Sequence, residues 1–417
     1  MVSEAKKGSG GEEKVYNYLF NLEKDLIGSG VYGEVFRATV VDRRDAVLLV
    51  LDEEDWYSDG SEDNVVAIKR IRCGERDGLC SSVLREVMVL QEVSKAIKSN
   101  GDAERCGENL VQLRNVVFDK GCIYLVTEFC DGGDLKKFMN TQRHRRLENP
   151  QQYRQMVRDI LCGICFLHGR EIAHRDLKPQ NILLKSKRKP PTGSQADTAT
   201  DCTQEDGISS LPYVLKIGDF GLSRMEGIPV KKYQHEAVSL WYRSPDVLMA
   251  NTNYRYTADM WSFGCIMAEV ATGDTLFRGR NELSQLKHIF RRLGPPSAQI
   301  FPSMNRYSLY EEFSPTLNKY FELLRRTYGS INNSSMFDMA KESLFKYFER
   351  YGVLSVVGDV GLDLLARLLA YEPKDRLTAE EALQHPFFTS MKRPVAASVS
   401  SEVGSPRQAE EGTDTAP

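Results

Sequence analysis

The chain has 417 residues, 27% of them charged and 41% hydrophobic, with a formal net charge of -3. Such a chain has room for two or three domains and ample apolar material for a core, and its near-neutral balance argues for neither nucleic-acid nor anionic-membrane binding. No run approaches the roughly 18 apolar residues of a membrane span, and the first twenty residues hold no apolar stretch of a secretory leader. The nine cysteines are scattered, which fits a reducing compartment. Cys162 and Cys165 have CxxC spacing but sit in an apolar helical pattern with no second pair to complete a zinc site, so they read as a buried helix face.

Residues 1–17 form a Gly-, Ser-, Lys- and Glu-rich tail that can bury little surface. Next comes Ile27-Gly28-Ser29-Gly30-Val31-Tyr32-Gly33-Glu34-Val35, a G-x-G-x-x-G-x-V string. Glycines let backbone N–H groups approach phosphate oxygens closely. A dinucleotide-binding fold carries a similar string, but there it opens a helix. Here a β-branched run continues to Val41, which favours a hairpin lying over a nucleotide. Residues 42–64 read as a solvated acidic loop. The run Val65-Val66-Ala67-Ile68-Lys69-Arg70-Ile71 then reads as a buried strand with a lysine that needs a partner.

From Ser81 to Val93, apolar residues at Val83, Val87 and Leu90 recur at helical spacing, and Ser81 and Ser82 can cap the start. Glu86 on this helix is the natural partner for Lys69. Residues 94–108 read as a loop insertion, and two strands are expected at 110–113 and 123–129. Cys130-Asp131-Gly132-Gly133-Asp134 breaks the pattern before a helix starting at Leu135. A long helix is expected from Pro150 to His168. It leads into His174-Arg175-Asp176-Leu177-Lys178-Pro179-Gln180-Asn181, with an apolar run behind it. Residues 185–212 are basic, then rich in Pro, Thr, Ser and Asp, and read as disordered. Their basic start is open to two readings, a nuclear import signal or a solvated loop. A strand at 214–218 ends in Asp219-Phe220-Gly221.

These strings, in this order, resemble a eukaryotic protein kinase over residues 18–388, and more narrowly the cyclin-dependent-kinase-like branch of the CMGC group. The stretch Gly78-Leu79-Cys80-Ser81-Ser82-Val83-Leu84-Arg85-Glu86 resembles the cyclin-contacting PSTAIRE helix, identical only at Ser81, Arg85 and Glu86. Tyr233-Gln234-His235-Glu236-Ala237-Val238-Ser239-Leu240-Trp241-Tyr242-Arg243 resembles the end of an activation segment, and Ser244-Pro245-Asp246 stands for APE. Asp259-Met260-Trp261-Ser262-Phe263-Gly264-Cys265 and His385-Pro386-Phe387-Phe388 match the same branch.

The resemblance implies an α+β bilobal fold. The β-rich N-lobe, with one key helix, spans 18–130. The mainly helical C-lobe spans 131–389 and carries an enlarged insertion at 303–350; residues 390–417 form a disordered tail. It implies a serine/threonine kinase using ATP and Mg2+, with protein substrates and a cyclin-like subunit docking on the Glu86 helix, in the nucleus and/or cytoplasm. Asp176 accepts or orients the proton of the attacking hydroxyl, Lys178 sits near the transferred phosphoryl group, and Ser239 bridges the two. Lys69, paired with Glu86, holds the α/β-phosphates, and Asn181 and Asp219 hold the metal. The nucleotide is further lined by the 27–35 loop, Ala67, Thr127, Glu128 and Cys130 through their backbones, Asp134 and Leu183. Phe220 packs toward the Glu86 helix. Ala237, Val238 and Arg243 shape a pocket for a proline after the target residue, and Arg376 pairs with Asp246.

The branch's activating threonine aligns with Gln234, which cannot be phosphorylated, although Arg85, Arg175 and Arg224 are present to grip a phosphate. The expectation is activation without phosphate there. Tyr32 keeps an inhibitory site whose neighbour is Val31. Asp246, shorter than the usual Glu, puts the Arg376 pair to a test. The competing class is a catalytically impaired kinase-fold scaffold, but the expected Lys69, Asp176, Asn181 and Asp219 are all present.

Overall fold

In the computed structural model, the described residues are 12–15, 18–30, 33–40, 64–72, 81–99, 105–119, 121–187, 211–225, 240–252, 254–328 and 336–389. The amino-terminal part is one sheet built from β1 (Glu12–Val15), β2 (Tyr18–Asn21), β3 (Leu26–Gly30), β4 (Gly33–Val40), β5 (Val65–Arg72), β6 (Leu113–Asp119) and β7 (Cys122–Glu128). The order is β1-β2-β4-β5-β7-β6, with β3 also paired to β4. Side chains alternate between faces along a strand. Phe36, Ala38, Val66, Ile68, Tyr124 and Val126 share one face and form an apolar cluster with Tyr18 and Phe20. Ala67 and Lys69 therefore point from the other face, with Val35 and Leu125 flanking Lys69 across the strands.

Under that face lies α1 (Ser81–Ser99). It is longer than the sequence reading, which placed a loop from residue 94. Val93, Ala96 and Ile97 continue the apolar stripe onto the core, and the buried Ser94 hydroxyl accepts the Leu113 N–H at 3.1 Å. Residues 105–109 are a 3-10 turn rather than loose loop. The strand expected at 110–113 starts at Leu113 instead, since Leu110 bridges to Ile217 in the other lobe.

The carboxy-terminal part is helical. It contains α2 (Leu135–Thr141), α3 (Pro150–His168), α4 (Tyr256–Thr272), α5 (Glu282–Leu293), α6 (Tyr310–Tyr328), α7 (Met336–Tyr351) and α8 (Leu354–Leu368). Asn149 caps α3, its side chain accepting the Gln151 and Gln152 N–H groups, and Pro150 takes the first turn, where its missing N–H is no loss. The helix buries Tyr153, Met156, Val157, Ile160, Leu161 and Ile164, each worth roughly 1.5–3 kcal/mol of transfer free energy. Cys162 is buried and Cys165 partly so.

Helix α4 is buried on all sides from Ala258 to Thr272 and sits at the centre of the lobe. It ends at Gly273 with φ +82; a Cβ there would lie 2.3 Å from the His144 carbonyl. Two helices fill most of the 303–350 region, and α6 docks through Phe321, whose ring meets Phe290 of α5 at 5.1 Å. No described helix is long and apolar enough to cross a membrane.

Candidate active site

Four short strands set the catalytic stretch against the sheet: β8 (Ile172–Ala173), β9 (Ile182–Ser186), β10 (Tyr213–Ile217) and β11 (Arg224–Met225). β9 and β10 form a hairpin that ends at Gly218, and β11 pairs β8. The polar string at 174–181 runs between β8 and β9, and Asp219 follows β10. Asp219 reaches Lys69, and His174 and Lys178 of the other loop act on the Asp219 carboxylate.

On the sheet side, the Lys69 ammonium donates to both Glu86 carboxylate oxygens at 2.7 and 2.8 Å and to Asp219 Oδ1 at 3.4 Å. Burial works against a charge on Lys69, but the Glu86 and Asp219 carboxylates outweigh it and hold its pKa above the usual lysine range. Burial pushes Asp219 up, yet Lys69, His174 and Lys178 together bring it below the ordinary aspartate range, so it is ionised near neutrality. Asp219 has φ +62, a strained conformation for a non-glycine residue. Phe220 is buried in the core that also takes Val83 and Leu90 of α1, and its ring meets His174 at 5.4 Å.

On the helical side, Asp176 Oδ2 accepts from Lys178 Nζ at 2.6 Å and from Asn181 Nδ2 at 3.1 Å. Asn181 Nδ2 also donates to the Asp176 carbonyl at 2.8 Å. His174 Nε2 lies 3.0 Å from the Gly218 carbonyl. A carbonyl only accepts, so Nε2 carries the proton and Nδ1 is left to accept the Asp176 N–H at 3.3 Å. One buried carboxylate fixes the whole loop. Asp259 of α4 accepts the His174 N–H at 2.8 Å, the Arg175 N–H at 2.7 Å and the His168 Nε2–H at 3.0 Å. Burial pushes Asp259 up, but these donors bring it below the usual range.

Magnesium prefers hard oxygen donors. With its nitrogen spent on Asp176, Asn181 has Oδ1 to offer, and Asp219 carries an ionised carboxylate with Oδ2 away from the lysine contact. The donor chemistry fits that cation. Among the described residues, no cluster of three or more His, Cys, Asp or Glu side chains is placed to hold a metal.

A protein kinase domain profile matches residues 57–388. The chain is 35% identical over 370 residues to the cell division control protein 2 homolog 1 of Trypanosoma brucei brucei, covering 87% of this chain and 96% of that protein. It is 32% identical over 388 residues to the cyclin-dependent kinase B2-1 of Oryza sativa subsp. japonica, covering 92% and 94%. The chain belongs to the cyclin-dependent-kinase-like protein kinases. It is a serine/threonine kinase with a β-sheet N-lobe and a helical C-lobe, and protein kinases generally use ATP and Mg2+.

In this kinase the glycine loop is a hairpin, with Gly28 opposite Val35 and Ser29 opposite Glu34. A Cβ on Gly33 would meet the Arg70 carbonyl at 2.2 Å, so the turn requires glycine there. Side-chain alternation leaves two positions of this loop only their backbone groups to turn toward the cleft. Glu34 pairs with Arg70 at 2.6 Å, on the face away from Lys69, and Ser29 shares that face, so neither side chain faces the cleft. Ile27 is exposed at the rim of the hairpin. Ala67 and Thr127 are cross-strand neighbours on the cleft face.

Between the lobes, the Glu128 N–H is taken by the Gln112 carbonyl at 3.1 Å, and the buried Glu128 carboxylate turns away to Lys185 at 2.7 Å and Lys216 at 2.9 Å. Only its carbonyl is left for a ligand edge. The Cys130 carbonyl accepts the Gly133 N–H, and burial pushes the Cys130 thiol up to about 12. Asp134 caps α2 by accepting the Lys137 N–H at 2.8 Å, and its backbone bridges to Leu183. Lys185 and Ser186 extend β9, correcting the expectation of disorder from residue 185; Ser186 N–H and hydroxyl both donate to Asp131.

Arg85 is partly buried beside Glu86, and Arg243 is partly buried after the 3-10 turn at Leu240–Tyr242. Arg224 stands opposite Ala173 in the β8–β11 pair. Val31, Tyr32, Gln234, Ala237, Val238 and Ser239, the side chains of Ser81, Ser82 and Arg224, and the bulk of the 42–64 and 185–212 insertions lie outside the described residues. Asp246 and Arg376 do meet, at 2.6 Å and fully buried. The shorter carboxylate also accepts from Asn251, and Arg376 donates to the carbonyls of Ala370, Thr257 and Tyr371. Sequence reasoning gave no role to Asp259 or His168. A charged residue in the apolar α4 was the available signal, because a buried carboxylate must find donors.

Proposed function

We propose that this kinase transfers the γ-phosphoryl group of ATP to Ser or Thr followed by Pro, that a cyclin-like subunit activates it through α1, and that no phosphothreonine is needed on its activation segment. The convergence of Lys69, Glu86 and Asp219 on the loop carrying Asp176, Lys178 and Asn181 carries the reading. In it, the substrate hydroxyl oxygen attacks the γ-phosphorus as the bond to the β–γ bridging oxygen breaks and ADP leaves. Asp176 takes the hydroxyl proton; its Oδ2 is held by Lys178 and Asn181, which leaves Oδ1 toward the incoming group. Lys178 balances charge on the transferred group, and Lys69, aligned by Glu86, holds the phosphates. Asn181 and Asp219 would hold Mg2+, which when bound neutralises phosphate charge.

The partner proposal rests on the outer face of α1. Leu84 and Met88, one turn apart, are each 45% exposed, while Val83, Val89, Leu90 and Val93 face inward. A partner covering that stripe would fix the helix that aligns Lys69. The relatives' names, a cell division control protein and a cyclin-dependent kinase, agree with a cyclin as that partner. Independence from phosphothreonine rests on Gln234, and the Ser/Thr-Pro preference on Ala237, Val238 and Arg243. A nuclear or cytoplasmic site of action remains a proposal from sequence; in the basic run, Lys185 faces Glu128 rather than solvent.

Peptide phosphorylation by Asp176→Asn tests the core of the reading. Loss of about 10²–10⁴ in kcat is expected with nucleotide affinity retained. A variant as active as an active wild type would take the proton-acceptor role from Asp176, and absence of transfer by both proteins would leave only a binding scaffold. An obligatory phosphate mapped within residues 226–239 of the active enzyme would remove the phosphate-free part alone.

A further inference from the structure

We propose that Tyr254 is a positioning residue for the catalytic loop and acts through Arg175. The inference rests on Asp176 being the proton acceptor proposed above. Arg175 immediately precedes Asp176 and has φ +71, in the left-handed region that side-chain-bearing residues seldom adopt. Such a conformation persists only where the surroundings over-determine it. Arg175 is gripped at both ends. Its backbone N–H is held by Asp259 at 2.7 Å. Its guanidinium Nη2 donates to the Tyr254 hydroxyl at 2.6 Å, and its central carbon lies 4.6 Å from the centre of the Tyr254 ring.

Both grips come from one short stretch. Tyr254 lies two residues before α4, and Asp259 sits in that helix's first turn. Asp259 fixes where the backbone of residue 175 is, and Tyr254 fixes how that residue is turned. A rotation of Arg175 would swing the Asp176 carboxylate off the Lys178 and Asn181 donors that hold it. The tyrosine is uncharged and partly buried, and it uses a hydroxyl and a ring face. It therefore gives the guanidinium a neutral partner from outside the activation segment. This gives the phosphate-free reading of Gln234 a physical basis that the activation segment alone does not offer.

The test is a double-mutant cycle on the full chain, purified alone or with a co-expressed cyclin, whichever phosphorylates a Ser-Pro peptide. Tyr254→Phe removes only the hydroxyl and is expected to lower kcat about fivefold, and Tyr254→Ala about 50-fold, with KM for ATP and peptide within about twofold. In an Arg175→Ala background, already slowed, adding either change is expected to alter kcat by less than about twofold. Affinity for a fluorescent ATP analogue checks the fold. If Tyr254→Ala does not bind nucleotide, Tyr254→Phe decides. Undiminished kcat in Tyr254→Phe overturns the inference, as does an equal loss in both backgrounds. A wild-type chain that binds ATP but transfers nothing removes the proposed function and this inference with it. An active wild type with an unaffected Tyr254→Phe removes this inference alone.

Discussion

Asp259 and Glu86 are both buried carboxylates behind the candidate site, 1% and 4% exposed, yet they are held in opposite ways. Asp259 accepts two backbone N–H groups and one imidazole, all within the helical lobe. The two backbone donors cannot leave without unfolding the loop. Glu86 accepts from one lysine ammonium on a long flexible stem, across the gap between a strand and a helix. The far side of that helix exposes Leu84 and Met88. The catalytic loop is thus built once, on folding, whereas the Lys69–Glu86 contact depends on where α1 sits. A regulator that moves α1 would act on phosphate positioning and leave the proton acceptor alone.

The comparison breaks first at Asp259. Asp259→Asn keeps one acceptor oxygen and loses the charge that three donors share, and a loss of about 3–5 kcal/mol is expected in urea unfolding, with activity. A variant with wild-type stability would show that the loop is held by something else. A third carboxylate supplies the contrasting case. Among the described residues, Asp159 of α3 accepts a hydrogen bond from the Leu215 N–H alone, at 3.4 Å, and burial raises it to about 6. Its folded pKa lies above its unfolded value, so its contribution to stability is complete below about pH 4 and is lost as pH rises through about 6. Asp159→Asn should therefore gain up to about 3 kcal/mol at pH 8, and the gain should vanish below pH 4. Melting temperatures across that range check the sign.

Glu86→Gln removes the charge that aligns Lys69. A drop of about 10²-fold in kcat/KM is expected, near 2.7 kcal/mol of transition-state stabilisation. Thermal stability should change far less than for Asp259→Asn, since Asp219 still pairs Lys69; equal destabilisation of the two variants would erase the distinction between them. The smallest effect on the fold belongs to the exposed stripe. Leu84→Asp with Met88→Asp should shift stability by no more than about 0.5 kcal/mol and abolish stimulation by a co-expressed cyclin. Unchanged stimulation would move the docking surface elsewhere.

The sheet and the two catalytic strings were legible because their chemistry is contiguous. Gly28 to Val35 runs from strand to strand, and Asp176, Lys178 and Asn181 lie within six positions. The Lys69–Glu86 pair was legible because a lysine in a β-branched run needs a partner and the next helix offers one. Asp259 was not, because its donors lie 84 to 91 residues away and only the folded chain brings them together. Lys185 and Lys216 were hidden for the same reason, their shared partner Glu128 lying in another strand. The end of α1 was misread because Ser94, Lys95 and Lys98 gave a loop-like composition, while Ala96 and Ile97 kept the helical spacing. The outward turn of Glu34 follows from pleating, which glycine spacing does not reveal.

The β9–β10 hairpin bears on how this lobe tolerates added chain. Ser186 and Tyr213 face each other in register, and Lys187 donates its N–H to the Pro212 carbonyl. The long stretch between them thus leaves and re-enters the lobe at one point. Closing such a loop costs only about 0.6 kcal/mol more for each doubling of its length. A change in the length of that stretch should therefore cost the fold little, whereas removing Glu128 would strand Lys185 and Lys216 without their shared carboxylate.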